Sequence, residues 1–285
     1  MPELPEVEVA ARNLRRWAMG HRITAAHAVP AARRILRPGS PRALAGLVGA
    51  GVRDVRRIGK NLLVTLDGPS TPIGIWSHLG MTGKWLRRAA GAPAPGSSRI
   101  ALALDDGSRL LYVDQRMFGR FRLVPGARFE ALAELRDLGP DPLVDGLDAR
   151  ALHLALGKTR AAVKVALLDQ RLVAGIGNIQ ACEALHRAAL DPRRPGRDLS
   201  AADVARLSRA ILESIHFTLA TFAATGADAD AADIGYVEEK GTANPFLVYQ
   251  RAGQPCPRCP PRRHAVITRI VQAQRATFFC AHCQR

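Results

Sequence analysis

The C-terminal part of the 285-residue sequence contains two closely spaced pairs of cysteines that can bind a metal ion. Cys256 and Cys259 form one C-x₂-C pair, and Cys280 and Cys283 form the other. Each pair can place two thiolates on one side of a tight turn, and a hairpin can join both pairs into a tetrahedral site. Two redox-active dithiols are the alternative, which the strand-like segment 260–279 between the pairs disfavours. We therefore expect a zinc ribbon with one structural Zn²⁺ and no open coordination position.

The N-terminal segment, PELPE at residues 2–6, contains a second candidate reactive group. Removal of the initiator methionine exposes the secondary amine of Pro2, a nucleophile that can form an iminium with a sugar aldehyde carbon. Glu3 provides a neighbouring carboxyl group for proton transfer. The alternative is a favourable helix start, with Pro5 at the first helical position and glutamates in the first turn. The residues alone leave both interpretations open.

The charge of the chain indicates a polyanionic partner. Lys and Arg together number 41 against 25 Asp and Glu, a formal net charge of +16. Such an excess favours nucleic acid, which is bound largely through counterion release. An acidic membrane surface is the rival, but neither a basic amphipathic helix nor a polybasic run beside an anchor is evident. Without a membrane-length apolar segment or a secretory signal, we expect a monomeric, cytoplasmic, nucleic-acid-binding protein.

Two types of element are predicted to position these groups. Short apolar runs in residues 22–124, with a DDG hairpin turn at 105–107, indicate a β-sandwich or barrel after one N-terminal helix. From 137 to about 225 the pattern is helical, and Ser200 with Asp203 is typical of a helix start. We therefore expect an α+β fold with three domains: a catalytic β-sandwich domain at 1–137, a helical DNA-binding domain at 138–240 and the zinc ribbon at 241–285.

Seven motifs along nearly the whole chain resemble those of the formamidopyrimidine-DNA glycosylase/endonuclease VIII family. They are MPELPEVE at 1–8, RRIGKNLLVTL at 56–66, HLGMTG at 78–83, DQRMFGR at 114–120, LGPDPL at 138–143, LLDQRLVAGIGNIQACEAL at 167–185 and QRATFFCAHCQ at 274–284. The resemblance implies a helix–two-turn–helix motif in the helical domain. It also implies a bifunctional DNA glycosylase and abasic-site lyase that flips oxidised purines, such as 8-oxoguanine and formamidopyrimidines, out of damaged duplex DNA.

The resemblance implies four catalytic residues. Pro2 corresponds to the nucleophile that attacks C1′ and forms a Schiff base, and Glu3 to the acid that assists opening of the sugar ring. Lys60 corresponds to the lysine that assists β-elimination and holds a phosphate. Arg275 corresponds to the zinc-finger arginine of δ-elimination. Without the resemblance, Lys60 is equally well a solvated strand residue and Arg275 a general phosphate contact.

The resemblance also implies a set of DNA-binding residues. Met81, Arg116 and Phe118 correspond to the side chains that fill the gap left by the flipped base. Core packing of Met81 and Phe118 and a surface role for Arg116 are the alternatives. The remaining members of the set are His78, Arg160, Lys164 and Asn178.

The sequence departs from the family pattern at several places, which include Gln115, Met117, Gln180 and the acidic segment 226–240. The acidic segment bears on base specificity rather than on catalysis. An enzyme for oxidised pyrimidines, similar to endonuclease VIII, is an alternative with the same chemistry, which the PELPEVE opening, Arg116 and Phe118 disfavour. A zinc-dependent DNA-binding protein without catalysis is the other alternative, which the intact set of catalytic residues disfavours.

Overall fold

A computed structural model describes residues 2–68, 70–224 and 243–285 of the chain. The chain divides into two compact units. The first comprises the chain up to Arg136 and a segment that begins at Phe222, and the second comprises Asp137–Thr221 and the chain from Gly241 onward. The acidic segment 226–240 lies outside the described residues.

The first unit is a β-sandwich preceded by helix α1 (Leu4–Ala18), as the sequence predicts. Its strands are β1 (Ile23–Ala28), β2 (Gly51–Ile58), β3 (Asn61–Asp67), β4 (Ile73–His78), β5 (Lys84–Arg88), β6 (Ser98–Leu104), β7 (Arg109–Val113) and β8 (Arg120–Pro125). They form two antiparallel four-stranded sheets, in the orders β1-β6-β7-β5 and β2-β3-β4-β8. The DDG sequence forms the turn between β6 and β7, where Gly107 has a φ of 82°.

One apolar core joins both sheets of the first unit and α1. Leu102 from one sheet, Leu66 from the other and Trp17 from α1 are each at most 2% exposed and belong to the same cluster. Burial of this kind is the main favourable contribution to folding, at about 25 cal/mol per Å² of apolar area. The core therefore fixes α1, whose N-terminus follows Pro2 and Glu3, against the sheet whose strands flank Lys60 and contain His78.

The second unit is helical and ends in a short hairpin. After the short helix α2 (Ala133–Arg136) of the first unit, its helices are α3 (Ala149–Leu156), α4 (Val163–Ala166), α5 (Asn178–Arg187) and α6 (Ala201–Ala224). The predicted cap of α6 forms: the Ser200 amide donates to the Asp203 carboxylate and the Asp203 amide donates to Ser200 Oγ, both at 3.1 Å. Strands β9 (Thr268–Gln272) and β10 (Arg275–Phe279) form the antiparallel hairpin between the cysteine pairs.

Among the described residues, no helix has both the length and the apolar composition that a membrane crossing requires.

Candidate active site and metal centre

The N-terminus of the first unit places a buried carboxyl pair beside Pro2. Pro2 is buried directly before α1, and Glu3 is only 1% exposed. Glu3 and Glu6 form a capping box in which the Glu3 amide donates to Glu6 Oε2 at 2.8 Å. Such a box satisfies amide groups that the helix itself leaves without partners. The helix start that the sequence offered as one interpretation is therefore present, and it uses Glu3, the residue next to the candidate nucleophile Pro2.

Glu6 has an unusual proton affinity for a glutamate. Burial raises the pKa of Glu6 to about 7, and the neighbouring negative charge of Glu3 acts in the same direction. Near neutral pH, Glu6 is therefore partly protonated, and it lies within about one helical turn of Pro2. The sequence predicted Glu6 only as part of a helix start, because a residue's burial is not visible in its local sequence.

Lys60 lies in the turn between β2 and β3, where Gly59 has a φ of 56°. The buried side chain of Arg57 holds this turn, because its Nη1 donates to the Gly59 carbonyl at 3.0 Å. The same guanidinium donates from Nε to Glu8 Oε2 of α1 at 2.8 Å. Arg57 thus ties α1, which follows Pro2, to the turn of Lys60. Sequence reasoning missed this pair, since its members are 49 positions apart.

His78 ends β4 and is half-buried near Lys60. Burial first, and then the positive charges of Lys60 and Arg120, lower the pKa of His78 to about 4. The ring is therefore neutral at physiological pH. Its Nδ1 accepts a hydrogen bond from the Gly80 amide at 3.0 Å, which leaves Nε2 as the donor. The structure brings Lys60 and His78 together as a cationic and a neutral donor, and adds Arg120, which the sequence did not indicate.

Met81, Arg116 and Phe118, the candidate wedge residues that would fill the gap left by a flipped base, lie on two loops. The buried Asp114 joins these loops. Its carboxylate accepts from Thr82 Oγ1 at 2.6 Å and from the Gly119 amide at 2.8 Å. The loops touch closely: Gly80 has a φ of 62°, and a Cβ there would lie 2.5 Å from the backbone of Phe118. A side chain at Gly80 would therefore force the loops apart.

The wedge side chains themselves differ in exposure. The Phe118 ring is 54% exposed, and the Arg116 guanidinium lies 4.9 Å from its centroid. Met81 is half-buried. A cation over an aromatic face is favourable by about 0.5–1 kcal/mol at an exposed position, so the contact modestly favours this arrangement of the two exposed side chains.

In the second unit, Asn178 and Arg275 are neighbours. Asn178 begins α5, and its Nδ2 donates to the Ala276 carbonyl at 2.8 Å, next to the exposed Arg275 at the start of β10. Arg160 is also exposed. Lys164, by contrast, is completely buried, an arrangement that the sequence did not indicate.

Glu183 is the buried anchor between α5 and the segment that leads into the cysteine module. Its carboxylate accepts three backbone amides, from Leu247 at 2.9 Å, Val248 at 2.8 Å and Tyr249 at 3.0 Å. A buried carboxylate needs such donors to offset its desolvation. Sequence reasoning could not pair Glu183 with this segment, because no short-range pattern links them.

The four cysteines predicted as ligands come together in one cluster. Their Sγ atoms all lie within 4.8 Å of one another, and the separations Cys256–Cys283 and Cys259–Cys280 are both 3.8 Å. A tetrahedron with zinc–sulfur bonds of about 2.3 Å has sulfur–sulfur edges of about 3.8 Å. The donor set and its geometry therefore fit one tetrahedral metal ion.

Comparison with known families identifies two matching domains. The model described as the formamidopyrimidine-DNA glycosylase N-terminal domain matches residues 1–121, and the formamidopyrimidine-DNA glycosylase H2TH domain matches residues 138–227. Two curated relatives bear the name formamidopyrimidine-DNA glycosylase. The protein of Caulobacter vibrioides is 36% identical over the whole of both chains. That of Chloroflexus aggregans is 41% identical, over 100% of this chain and 98% of its own.

Solved structures of similar fold include complexes with damaged DNA. The Lactococcus lactis Fpg bound to DNA that contains an abasic site has a TM-score of 0.84 and 28% identity, with 99% of each chain covered. The same protein bound to DNA that contains FAPY-dG has a TM-score of 0.84 and 27% identity, with 99% and 100% covered. The MutM (Fpg) protein of Thermus thermophilus has a TM-score of 0.77 and 33% identity, with 99% and 98% covered.

Proposed function

The chain belongs to the formamidopyrimidine-DNA glycosylase family, and we propose that its N-terminal proline excises oxidised purines from duplex DNA and then opens the strand. It is a DNA glycosylase and abasic-site lyase of base excision repair. The glycosidic carbon is inaccessible in a stacked duplex, so the damaged nucleotide must be flipped out before reaction. The observation that carries the proposal is the buried Pro2 beside the Glu3–Glu6 carboxyl pair.

In the first step the lone pair of the Pro2 nitrogen attacks C1′ of the flipped nucleotide. The glycosidic bond breaks with its electron pair on the departing base, which takes up a proton. Glu3 assists opening of the sugar ring by protonating the ring oxygen, and loss of the amine proton completes the Schiff base. Glu6, with its pKa of about 7, can supply a proton to Glu3 at neutral pH.

The second step eliminates the phosphates that flank the sugar. Lys60 assists β-elimination and holds a phosphate, and the neutral His78 can donate a hydrogen bond from Nε2–H to a phosphate oxygen. Arg275 assists δ-elimination from the hairpin β9–β10. The Arg57 contacts tie the turn of Lys60 to α1, which follows Pro2. They therefore fix the position of Lys60 relative to the proposed nucleophile.

The remaining candidate residues bind the DNA around the flipped nucleotide. Met81, Arg116 and Phe118 fill the vacated position in the stack, where the Arg116 guanidinium can donate to the acceptors of an unpaired cytosine. Asn178 lies at the start of α5, where free backbone amides favour a phosphate. Arg160 supplies an exposed positive charge. Lys164 is completely buried, which disfavours the phosphate contact that the resemblance implies for it.

The metal is proposed to be a single structural Zn²⁺ held by the four cysteines. Four thiolates saturate a tetrahedral zinc ion, so its contribution is rigidity of the turns rather than Lewis-acid chemistry. The hairpin that contains Arg275 depends on that rigidity. We also propose three domains, at 1–137, 138–240 and 241–285, and a monomeric cytoplasmic enzyme.

Borohydride trapping on three matched duplexes tests the proposal. One duplex contains 8-oxoguanine opposite cytosine, one contains an oxidised pyrimidine and one is undamaged. A covalent complex and strand cleavage on the first duplex are expected, with much slower reaction on the second and none on the third. Preferred reaction with the oxidised pyrimidine would assign the endonuclease VIII-like specificity instead. Binding without trapping would identify a non-catalytic DNA-binding protein.

A further inference from the structure

The last turn of α5 brings a histidine into contact with the cysteine cluster. His186 is 2% exposed, and its Nε2 lies 3.5 Å from Cys256 Sγ. This is hydrogen-bonding distance for a sulfur acceptor. A metal-bound thiolate carries no proton, so the histidine ring must be the donor in this contact. His186 Nδ1 finds no hydrogen-bond partner among the described residues, so no other contact there requires the ring proton to lie on Nδ1.

A second contact joins the same cysteine turn to the end of the helix. Arg258 lies between Cys256 and Cys259, and its Nη1 donates to the carbonyls of His186 at 2.9 Å and Arg187 at 3.1 Å. The last carbonyls of a helix have no partners within it, and a cationic donor there is favourable. The first cysteine pair is therefore attached to α5 both at a sulfur and through its turn.

The opposite end of α5 is attached to the other half of the module. Asn178 Nδ2 donates to the carbonyl of Ala276, the neighbour of Arg275 in β10. Asn178 and His186 are eight positions apart, which corresponds to about 12 Å along a helix. One short helix thus holds the strand of Arg275 at its first residue and the ligand Cys256 at its last turn.

We propose that His186 is a positioning residue of the metal centre. It donates a hydrogen bond from Nε2–H to the Cys256 thiolate and thereby attaches the first cysteine pair to α5. The inference rests on the proposed zinc site. A hydrogen bond of this kind withdraws charge from the thiolate, orients the ligand and lowers its reactivity towards electrophiles. It also sets the position of the hairpin relative to Asn178, and so the position of Arg275.

Two substitutions in the full-length protein separate the hydrogen bond from the shape of the ring. His186→Phe keeps an aromatic ring but removes the donor, whereas His186→Gln keeps a donor. Zinc affinity is measured by competition with a chromogenic chelator, and the ligand field by the absorption spectrum of the Co²⁺-substituted protein. Loss of a polar group that supports a metal ligand typically weakens metal binding about 10–100-fold. We expect a loss in that range for His186→Phe and a smaller one for His186→Gln.

The cobalt spectrum provides the readout that simple packing would not change. We expect the four-thiolate visible bands to persist in His186→Phe, while the thiolate-to-cobalt charge-transfer band moves to lower energy because the sulfur is more electron-rich. In His186→Gln the band should lie close to its wild-type energy, because a donor to the sulfur is kept. His282→Phe is the matched control, since His282 lies within the second cysteine pair but is exposed. It should leave both readouts unchanged.

Three results separate the possible failures. Wild-type zinc affinity and an unchanged cobalt spectrum in His186→Phe would overturn the role of His186 and leave the metal site intact. The wild-type cobalt spectrum could instead indicate three thiolate ligands and one nitrogen ligand, and lose the nitrogen contribution in His186→Phe. That result would make the histidine a ligand and also overturn the inference. A wild-type protein that binds neither Zn²⁺ nor Co²⁺ would refute the metal site itself.

Discussion

The N-terminus brings Pro2, the proposed nucleophile, together with two buried carboxyl groups, and burial raises the pKa of one of them, Glu6, to about 7. Pro2 directly precedes Glu3, and the Glu3 amide donates to Glu6 Oε2, so the three residues lie together at the start of α1. Enzymes commonly obtain acid and base functions from two carboxyl groups by giving them different environments. Here burial and the neighbouring charge of Glu3 raise the pKa of Glu6, so that Glu6 can hold a proton near neutral pH.

Replacement of Pro2 should remove the covalent step. We expect Pro2→Gly, or a protein that retains Met1, to give at least about 100-fold less borohydride-trapped complex on abasic-site DNA, because the secondary amine is lost or blocked. The measurement is single-turnover trapping resolved by denaturing electrophoresis, with duplex binding as the control for folding. A Met1-retaining protein that is trapped as fast as the mature protein would contradict the assignment.

Glu6 should make the stability of the protein depend on pH. Because the folded-state pKa is raised from 4.5 to about 7, the folded state binds the proton more tightly than the unfolded chain. The stabilisation is therefore complete below about pH 4.5 and is lost as the pH rises through about 7. Relative to Glu6→Gln, the wild-type unfolding free energy should fall by up to about 3 kcal/mol between roughly pH 4.5 and 8. Urea unfolding curves at several pH values measure the difference, and parallel curves would contradict it.

At the scale of elements, the sequence allowed prediction wherever the signal was local. The C-x₂-C pairs, the DDG turn and the Ser200–Asp203 cap involve residues at most a few positions apart, and each determines its own geometry. The contacts that assemble the site are long-range instead. Glu8 with Arg57, and Glu183 with residues 247–249, depend on how the elements pack, which composition and periodicity do not reveal.

The ion pair between the buried Arg57 of β2 and the partly buried Glu8 of α1 should contribute to stability. Loss of one member of a fully buried pair typically costs about 3–5 kcal/mol, and we expect Arg57→Met to cost somewhat less than that because Glu8 is 13% exposed and keeps its exposed cationic partners. The cleavage rate should fall as well, since the Lys60 turn loses its support from the Arg57 guanidinium.

Arg56→Met on the same strand is the control for this pair. Arg56 is exposed and pairs with the similarly exposed Asp54, so its loss should cost less than about 1 kcal/mol. Chemical denaturation of both variants measures the difference. Equal costs would show that the Arg57 pair does not hold α1 to the sheet.

Loss of one metal ligand should disable the hairpin and its arginine together. In Cys280→Ala we expect sub-stoichiometric zinc and a loss of duplex affinity of at least about 10-fold, because metal binding and local folding are coupled. Metal analysis and fluorescence anisotropy on the same preparation measure the two effects. Full zinc content with wild-type activity would rule out the four-cysteine site.

At the scale of the whole molecule, the net charge of +16 sets how the protein meets DNA. A field of this sign attracts any duplex and gives fast, salt-dependent association before a lesion is recognised. Specificity must then come from the few residues that read the flipped nucleotide and its partner base. The net positive charge could be predicted from composition alone. Which arginines contact phosphates could not, because composition does not locate them and many exposed arginines look equivalent.

Salt dependence should report individual phosphate contacts. The logarithm of the association constant is expected to fall linearly with the logarithm of salt concentration, with a slope of about −0.9 for each phosphate neutralised. Arg275→Ala should make the slope less steep by about 0.9. Arg53→Ala, which removes an exposed arginine already paired with Asp67, should leave it unchanged. Equal slopes for Arg275→Ala and the wild type would remove Arg275 from the phosphate contacts.

The half-exposed Phe118 ring has a thermodynamic consequence for the complete cycle of binding and release. Asp114 and the close approach at Gly80 hold the ring partly in water before any DNA is present. On the proposed role of Phe118, insertion of the ring into a base stack removes this apolar surface from water and gives complex formation a negative heat-capacity change. Complex formation should then become more enthalpic as the temperature rises, and release of the product has to hydrate the ring again.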